Sequence, residues 1–415
     1  MSTRRWKGTA LAVKQETELT PANVEIGDIF TVTINNNAVS FTATAATVTN
    51  VTAGLADAMN DSTLPEFQEL AAVDQTTKIL VQAGTAGVPF MLTASATNGG
   101  AADTQTLTAN TTQAATGPWH FDNAANWSGG TVPVGSDDVY FDTGDVPCLY
   151  GLSQSAITLT SLNILSGYKG KIGLKEENDS GYFEYRDTYL AISATTVNIG
   201  GGLGNGSQRI KLDTGSNQTA LNVQNSGQGE INGVPALLWK GTHASNEVNV
   251  NKGQVGGAFF ASESATIVTL RIGFKHNVLG DSVVKLGAGC TLTTINKTGG
   301  DLEVNSGFTT LTQNDGTTVI NAGAATTLNV RGGQCVPNGT GTITTANVSG
   351  DGHLDFSQDM RAKTVTNPIN RYGNDSSISD PFQVVSSMVI DLEESKDLTR
   401  LDIGTHIKVT RGAPS

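Results

Sequence analysis

Long apolar runs are missing from this 415-residue chain, and so are most arrangements of residues that carry chemistry. No stretch approaches the ~18 apolar residues of a membrane helix. The opening MSTRRWKGTALAVKQE lacks the continuous apolar centre of a secretory signal. These absences predict a protein made in a cytoplasm, with no membrane partner, that leaves only by a route such as lysis. Cysteine is scarce. Cys148, Cys290 and Cys335 show no CxxC spacing, which excludes a disulfide framework and a cysteine-based zinc site and predicts buried thiols. His120, His243, His276, His353 and His406 are scattered without ligand spacing, so no metal is expected. There is no P-loop, no GxSxG elbow and no HExxH; GGGLGNGS at 200–207 fits no nucleotide-binding spacing and reads as a loop between coils. No cofactor and no catalytic residue is expected.

Charge is also low. Charged residues make up 15%, which argues against disorder, since disordered chains combine low hydrophobicity with high net charge. The net charge of −13 is spread along the chain and argues against nucleic acid, whose phosphates need clustered Lys and Arg. The one basic cluster, Arg4, Arg5 and Lys7, reads as a docking arm.

Gly, Thr, Ser and Asn are abundant instead, poor material for helices and good material for short strands and tight turns. One short strand recurs: TSLNI at 160–164, TTVNI at 195–199, TALNV at 219–223, EVNV at 247–250, VTLRI at 268–272, TTIN at 293–296, TTLT at 309–312, TTLNV at 326–330, TTANV at 344–348 and KTVTN at 363–367. Its first apolar residues are Leu162, Val197, Leu221, Val248, Leu270, Ile295, Leu311, Leu328, Ala346 and Val365. Early spacings are long and irregular, and the last four fall between 16 and 19 residues. Coils of this size fit a parallel β-helix in which like residues stack, apolar ones inward and threonines outward. Ten coils would form a rod of roughly 50 Å. A β-sandwich from the same strands is the rival; it does not require an in-phase motif.

The spacing predicts four parts: an N-terminal arm over 1–20, a small α+β module over 21–116, a β-helix over 117–367 and a β-rich C-terminal cap over 368–415. In the module, GDIFTVTINNNAVSFTATA reads as a hairpin turning at Asn35–Asn37. Asn50 or Thr49 would cap a helix buried through Val51, Leu55 and Met59, and strands follow at 78–82, 90–96 and in QTLTANTT. The acid pair Asp137–Asp138 reads as turn-capping carboxylates, and Trp119 and Trp127 as plugs for the open end of the solenoid.

Residues 117–142, GPWHFDNAANWSGGTVPVGSDDVYFD, carry a W…NWS…VP…DDVYFD motif. It resembles the opening segment of parallel β-helix proteins found among phage structural, prophage-encoded and bacterial surface proteins, over about 25 residues. The 21–117 unit is similar to small β-rich modules of tailed-phage virions. The resemblance implies a virion structural role, a homotrimer, and the major capsid protein or other virion proteins as partners, with a capsid decoration or cement function first. A tail fibre or receptor-binding spike is the alternative, disfavoured by a distal segment that holds only Tyr372 and Phe382 as aromatics. A polysaccharide depolymerase would need paired carboxylates; Glu303, Asp355 and Asp359, with Arg361 nearby, are the residues to examine. A bacterial surface adhesin comes fourth, disfavoured by the missing signal peptide.

Overall fold

A computed structural model of the chain describes residues 2–200, 209–229, 233–273, 282–385, 388–392, 398–405 and 408–410. Strands account for 47% and helices for 5%, and most strands belong to one long parallel ladder, so the protein is mainly β and folds as a parallel β-helix. Every expected step from Leu162 to Ala346 is a register pair, Leu162 on Val197, Val197 on Leu221, and so on to Leu328 on Ala346. All of these residues are buried. The cause is the alternation in T-x-apolar-x-apolar: one face of each short strand is apolar, and only the rungs above and below can cover it.

Stacking also runs further than the repeat in both directions. Upstream, Val139 of the DDVYFD strand lies on Leu162, and Thr3–Arg5 pairs in parallel with that strand as a first rung. Residues 1–20 are therefore not a free arm: Thr3–Arg5 begins the rod and Glu16–Ala22 is an interior strand of the module. Downstream, Ala346 is followed by Ile369, Ile390 and Val409, so the β-rich C-terminal segment continues the same stack as further rungs. Fourteen rungs from Arg4 to Val409 give a rod of roughly 60 Å.

Val365 is the misplaced expectation. The residue over Ala346 is Ile369, whereas Val365 bridges to Ile343, at the bend that precedes the main strand. KTVTN at 363–367 sets Val365 two residues before its Asn, whereas PINR at 368–371 sets Ile369 directly before Asn370, the order of the repeat, and it is Ile369 that enters the column. A second wall stacks Ile210, Leu237, Val255, Val284, Leu302 and their successors opposite the first.

The module has two antiparallel sheets, one ordered 70–74, 79–83, 16–22, 106–113 and the other 37–42, 29–34, 92–97, around the helix Val48–Asn60. Val51, Leu55 and Met59 of the helix are buried as the spacing predicts, against Phe30, Val32 and Ile34 of the hairpin. The helix cap is Thr47, not Thr49 or Asn50: Thr47 Oγ1 accepts from Asn50 N. The Asn50 carboxamide turns back to the Thr44 and Ala45 amides.

Candidate functional site

Three polar and aromatic assemblies stand out on the rod: its sealed first end, its junction with the module, and the ladders along its walls. At the first end, Trp127 is fully buried, with its ring centroid 5.2 Å from that of Trp6, 4.8 Å from Phe121 and 5.7 Å from Phe141. Its Nε1 donates to Phe121 O at 2.6 Å, and Trp6 Nε1 donates to Val146 O at 3.0 Å. Trp127 thus packs into the first end of the rod against Trp6, which belongs to the segment expected to be an arm. Trp119 is only half-buried and sits towards the module, its carbonyl accepting the Leu149 and Tyr150 amides.

Two residues of the basic cluster make ion pairs at this end. Arg4 Nε pairs with Asp137 at 3.3 Å, and Arg5 pairs with Asp142 and lies 4.7 Å above the Tyr140 ring. Lys7 is exposed, and its backbone N–H donates to Asn126 O. A strand paired along its length leaves no mobile arm. Asp137 caps a turn: burial raises its pKa, but amide hydrogen bonds from Val134 and Ser2 and the Arg4 guanidinium carry it below the usual carboxylate value. Asp138 accepts from Ser161 Oγ at 2.5 Å.

Arg186 organises the junction. It is buried, makes a fork to Glu184 (Nε–Oε1 2.6 Å, Nη2–Oε2 3.0 Å), donates to Tyr182 Oη at 2.6 Å and to Pro89 O at 3.1 Å, and lies 3.5 Å from Glu69 Oε2. Tyr182 Oη donates to Glu69 Oε1 at 2.8 Å. Glu69 and Pro89 belong to the module; Tyr182, Glu184 and Arg186 belong to an excursion of the coil that follows Leu162. Burial alone would lower the guanidinium's pKa, but the Glu184 carboxylate raises it above its ordinary value, so the charge is fixed. Burial also pushes the Tyr185 phenol up to about 12. Beside this network His120 Nε2 meets Gly87 O at 2.9 Å. The sequence gives no local sign of the contacts to Glu69 and Pro89, because Tyr182 and Arg186 lie about a hundred residues further along the chain.

Along the main wall, asparagines form ladders. Asn198, Asn222 and Asn249 each donate Nδ2 to the Oδ1 of the preceding rung, starting at Asn163, at 2.8, 3.2 and 2.9 Å. Asn347 and Asn370 repeat the pattern above Asn329, both at 2.8 Å. The recurring "LN" of the repeat was its signal. Each amide satisfies its neighbour, so the ladder reinforces the register already fixed by the apolar column.

Of the carboxylates considered for glycan cleavage, Glu303 and Asp355 do not converge. Glu303 accepts from Asn321 Nδ2 at 2.8 Å and is in register with Val319, itself in register with Val336. Asp355 lies one rung beyond Val336, which places the two carboxylates about 14 Å apart along the rod, outside the roughly 5–9.5 Å of glycosidase pairs. Asp355 is buried, which raises its pKa, but hydrogen bonds from Ser357, Gln334 and Gln358 bring it below normal. Asp359 is lowered by Arg361 and Lys363. Cys148, Cys290 and Cys335 are free and buried. His276, His406 and most of the 200–207 loop lie outside the described residues. No known protein family, curated protein or solved structure matches the chain.

Lys297 breaks the apolar pattern from inside. It stacks on Ile272 and under Gln313, is fully buried, and donates Nζ to Asp315 O at 2.7 Å. Burial pushes its pKa down from 10.5 to about 8, so the penalty on its charge is complete below pH 8 and fades between about pH 8 and 10.5. Lys297→Met is therefore expected to stabilise the protein by about 2 kcal/mol at pH 7. That gain should shrink towards zero by about pH 9.5, as read by urea unfolding of both forms at each pH.

Proposed function

We propose that this chain is a non-catalytic structural protein of a tailed-phage particle, in which the module docks and the rod decorates the capsid surface. The observation that carries this reading is where the polar side chains go. Arg4, Arg5, Asp137, Arg186, Glu184 and the asparagine ladders are all engaged in holding the rod and its module together. Glu303 and Asp355, two of the carboxylates examined for catalysis, stand three rungs apart. The W…NWS…VP…DDVYFD resemblance supplies the phage setting. A protein built this way acts by adding buried contact area across neighbouring shell subunits and not by chemistry.

Immunogold labelling of particles from the source culture, with antibody to the purified chain, tests this. Gold over the heads is the expected result. Gold confined to tails would instead favour a fibre, and unlabelled particles would remove the proposal. Incubation with host capsular polysaccharide should release no reducing ends.

A further inference from the structure

The outer face of the second wall is covered towards both ends and bare in the middle. In one outward column Lys211 and Leu238 are buried, and a side chain at Gly256, the next position, would meet Leu238 Cδ2 at 2.9 Å and crowd Phe259 and Pro235. Further along the same column Val336 and Asp355 are buried again. Between these covers lie three successive rungs, Ser282–Leu286, Asp301–Val304 and Thr317–Ile320. They form a trough of about 400 Å³, within the range of small-molecule sites. Its outward residues are Val283 and Lys285, then Asp301 and Glu303, then Thr317 and Val319.

Elsewhere on the rod, opposite charges one rung apart close into ion pairs. Asp213 and Lys240 are in register and lie 3.5 Å apart, and Arg271 reaches Glu247 across one rung at 2.8 Å. Lys285 and Glu303 are also in register, ~4.8 Å apart along the rod, yet each is held by another group. Lys285 Nζ donates to Gly233 O at 3.3 Å, and Glu303 Oε1 accepts from Asn321 Nδ2 at 2.8 Å. Asp301 is exposed on the same face, two residues before Glu303 and so about 7 Å from it. An ammonium and two carboxylates thus face the trough unjoined, with two N–H groups of Lys285 and Glu303 Oε2 still to be satisfied.

We infer that this trough binds a small zwitterion, a free α-amino acid with an aliphatic side chain. Its ammonium sits between Asp301 and Glu303, and its carboxylate takes the remaining N–H groups of Lys285. Val283, in register with Asp301 and beside Lys285, is the fourth corner of the same cell and receives the aliphatic side chain. Other ligands match less of the site. An anion meets the two carboxylates, and a simple cation meets Lys285. A calcium ion needs six or more oxygens, and no third His, Cys, Asp or Glu joins these two carboxylates among the described residues. The inference is independent of the virion reading.

Isothermal titration of the full chain with L-leucine should give saturable binding of one molecule, with a dissociation constant on the order of 1 mM. Two analogues each lack one charge: 3-methylbutylamine has no carboxylate, and 4-methylpentanoate has no ammonium. Each should bind about tenfold more weakly, the worth of one charge-assisted hydrogen bond. Lys285→Met should weaken leucine about tenfold and bring it level with the amine, whereas Glu303→Gln should weaken leucine and the amine together. Both side chains lie on the outside of the rod, so circular dichroism should be unchanged in either variant. No saturable heat up to about 20 mM leucine, leucine bound no better than either analogue, or wild-type affinity in Lys285→Met overturns the site.

Discussion

Trp127→Ala should cost the rod about 3–5 kcal/mol, the range for deleting a buried aromatic. The side chain is fully buried and its ring meets Trp6 and Phe121 edge-on, so truncation leaves a cavity that rigid rings cannot collapse to fill. It also orphans Phe121 O, the acceptor of its indole N–H. Stability in stacked architectures is a sum over neighbouring rungs, so the loss should be read first at the end: the amides of Trp6 and of the Asp138–Phe141 strand should exchange faster, while those near Leu311 and Leu328 change little. Trp119→Ala, at a half-buried ring outside the plug, is the control and should cost about 1 kcal/mol. Equal losses from the two substitutions in guanidinium unfolding would mean that the end is not sealed by Trp127.

The contrast between the two tryptophans marks the limit of what the sequence shows. Period-two alternation with a recurring T-x-apolar-Asn is a statement about each strand's own faces, and it located every rung from Leu162 to Ala346, because stacking obeys that alternation. It failed at Val365, which bridges to Ile343, while Ile369, four residues on and directly before Asn370, is the residue stacked on Ala346. It also failed at Arg4, in a three-residue strand too short to show a period, and at Trp6, just beyond it. Their partners, Trp127 and Asp137, lie more than a hundred residues away. Buried Lys297 was invisible for a different reason: an inward lysine contradicts the pattern, and what makes it tolerable is a carbonyl of the next coil, Asp315 O. The junction network belongs with these. Local pattern specifies the rungs, and long-range polar pairing specifies where the module sits.

Arg186 tests that last statement most directly. Arg186→Met keeps much of the side-chain volume but removes the cation that the structure places on both Glu184 and Glu69, so it should destabilise the protein by about 3–5 kcal/mol, the cost of leaving a buried charge without its partner. The loss has two parts that can be separated. Glu184, whose side chain is nearly inaccessible, bears the desolvation cost, and neutralising it in Arg186→Met/Glu184→Gln should recover about half. The other part is the tie to the module through Glu69 and Pro89 O, which the second substitution cannot restore. Both variants should therefore unfold in two transitions where the wild type unfolds in one, with near-ultraviolet circular dichroism and tyrosine fluorescence reporting the junction before far-ultraviolet dichroism reports the rod. A single transition in both variants, with full recovery in the double one, would mean that Arg186 stabilises its own coil and that the module is held by other contacts, such as His120 against Gly87 O.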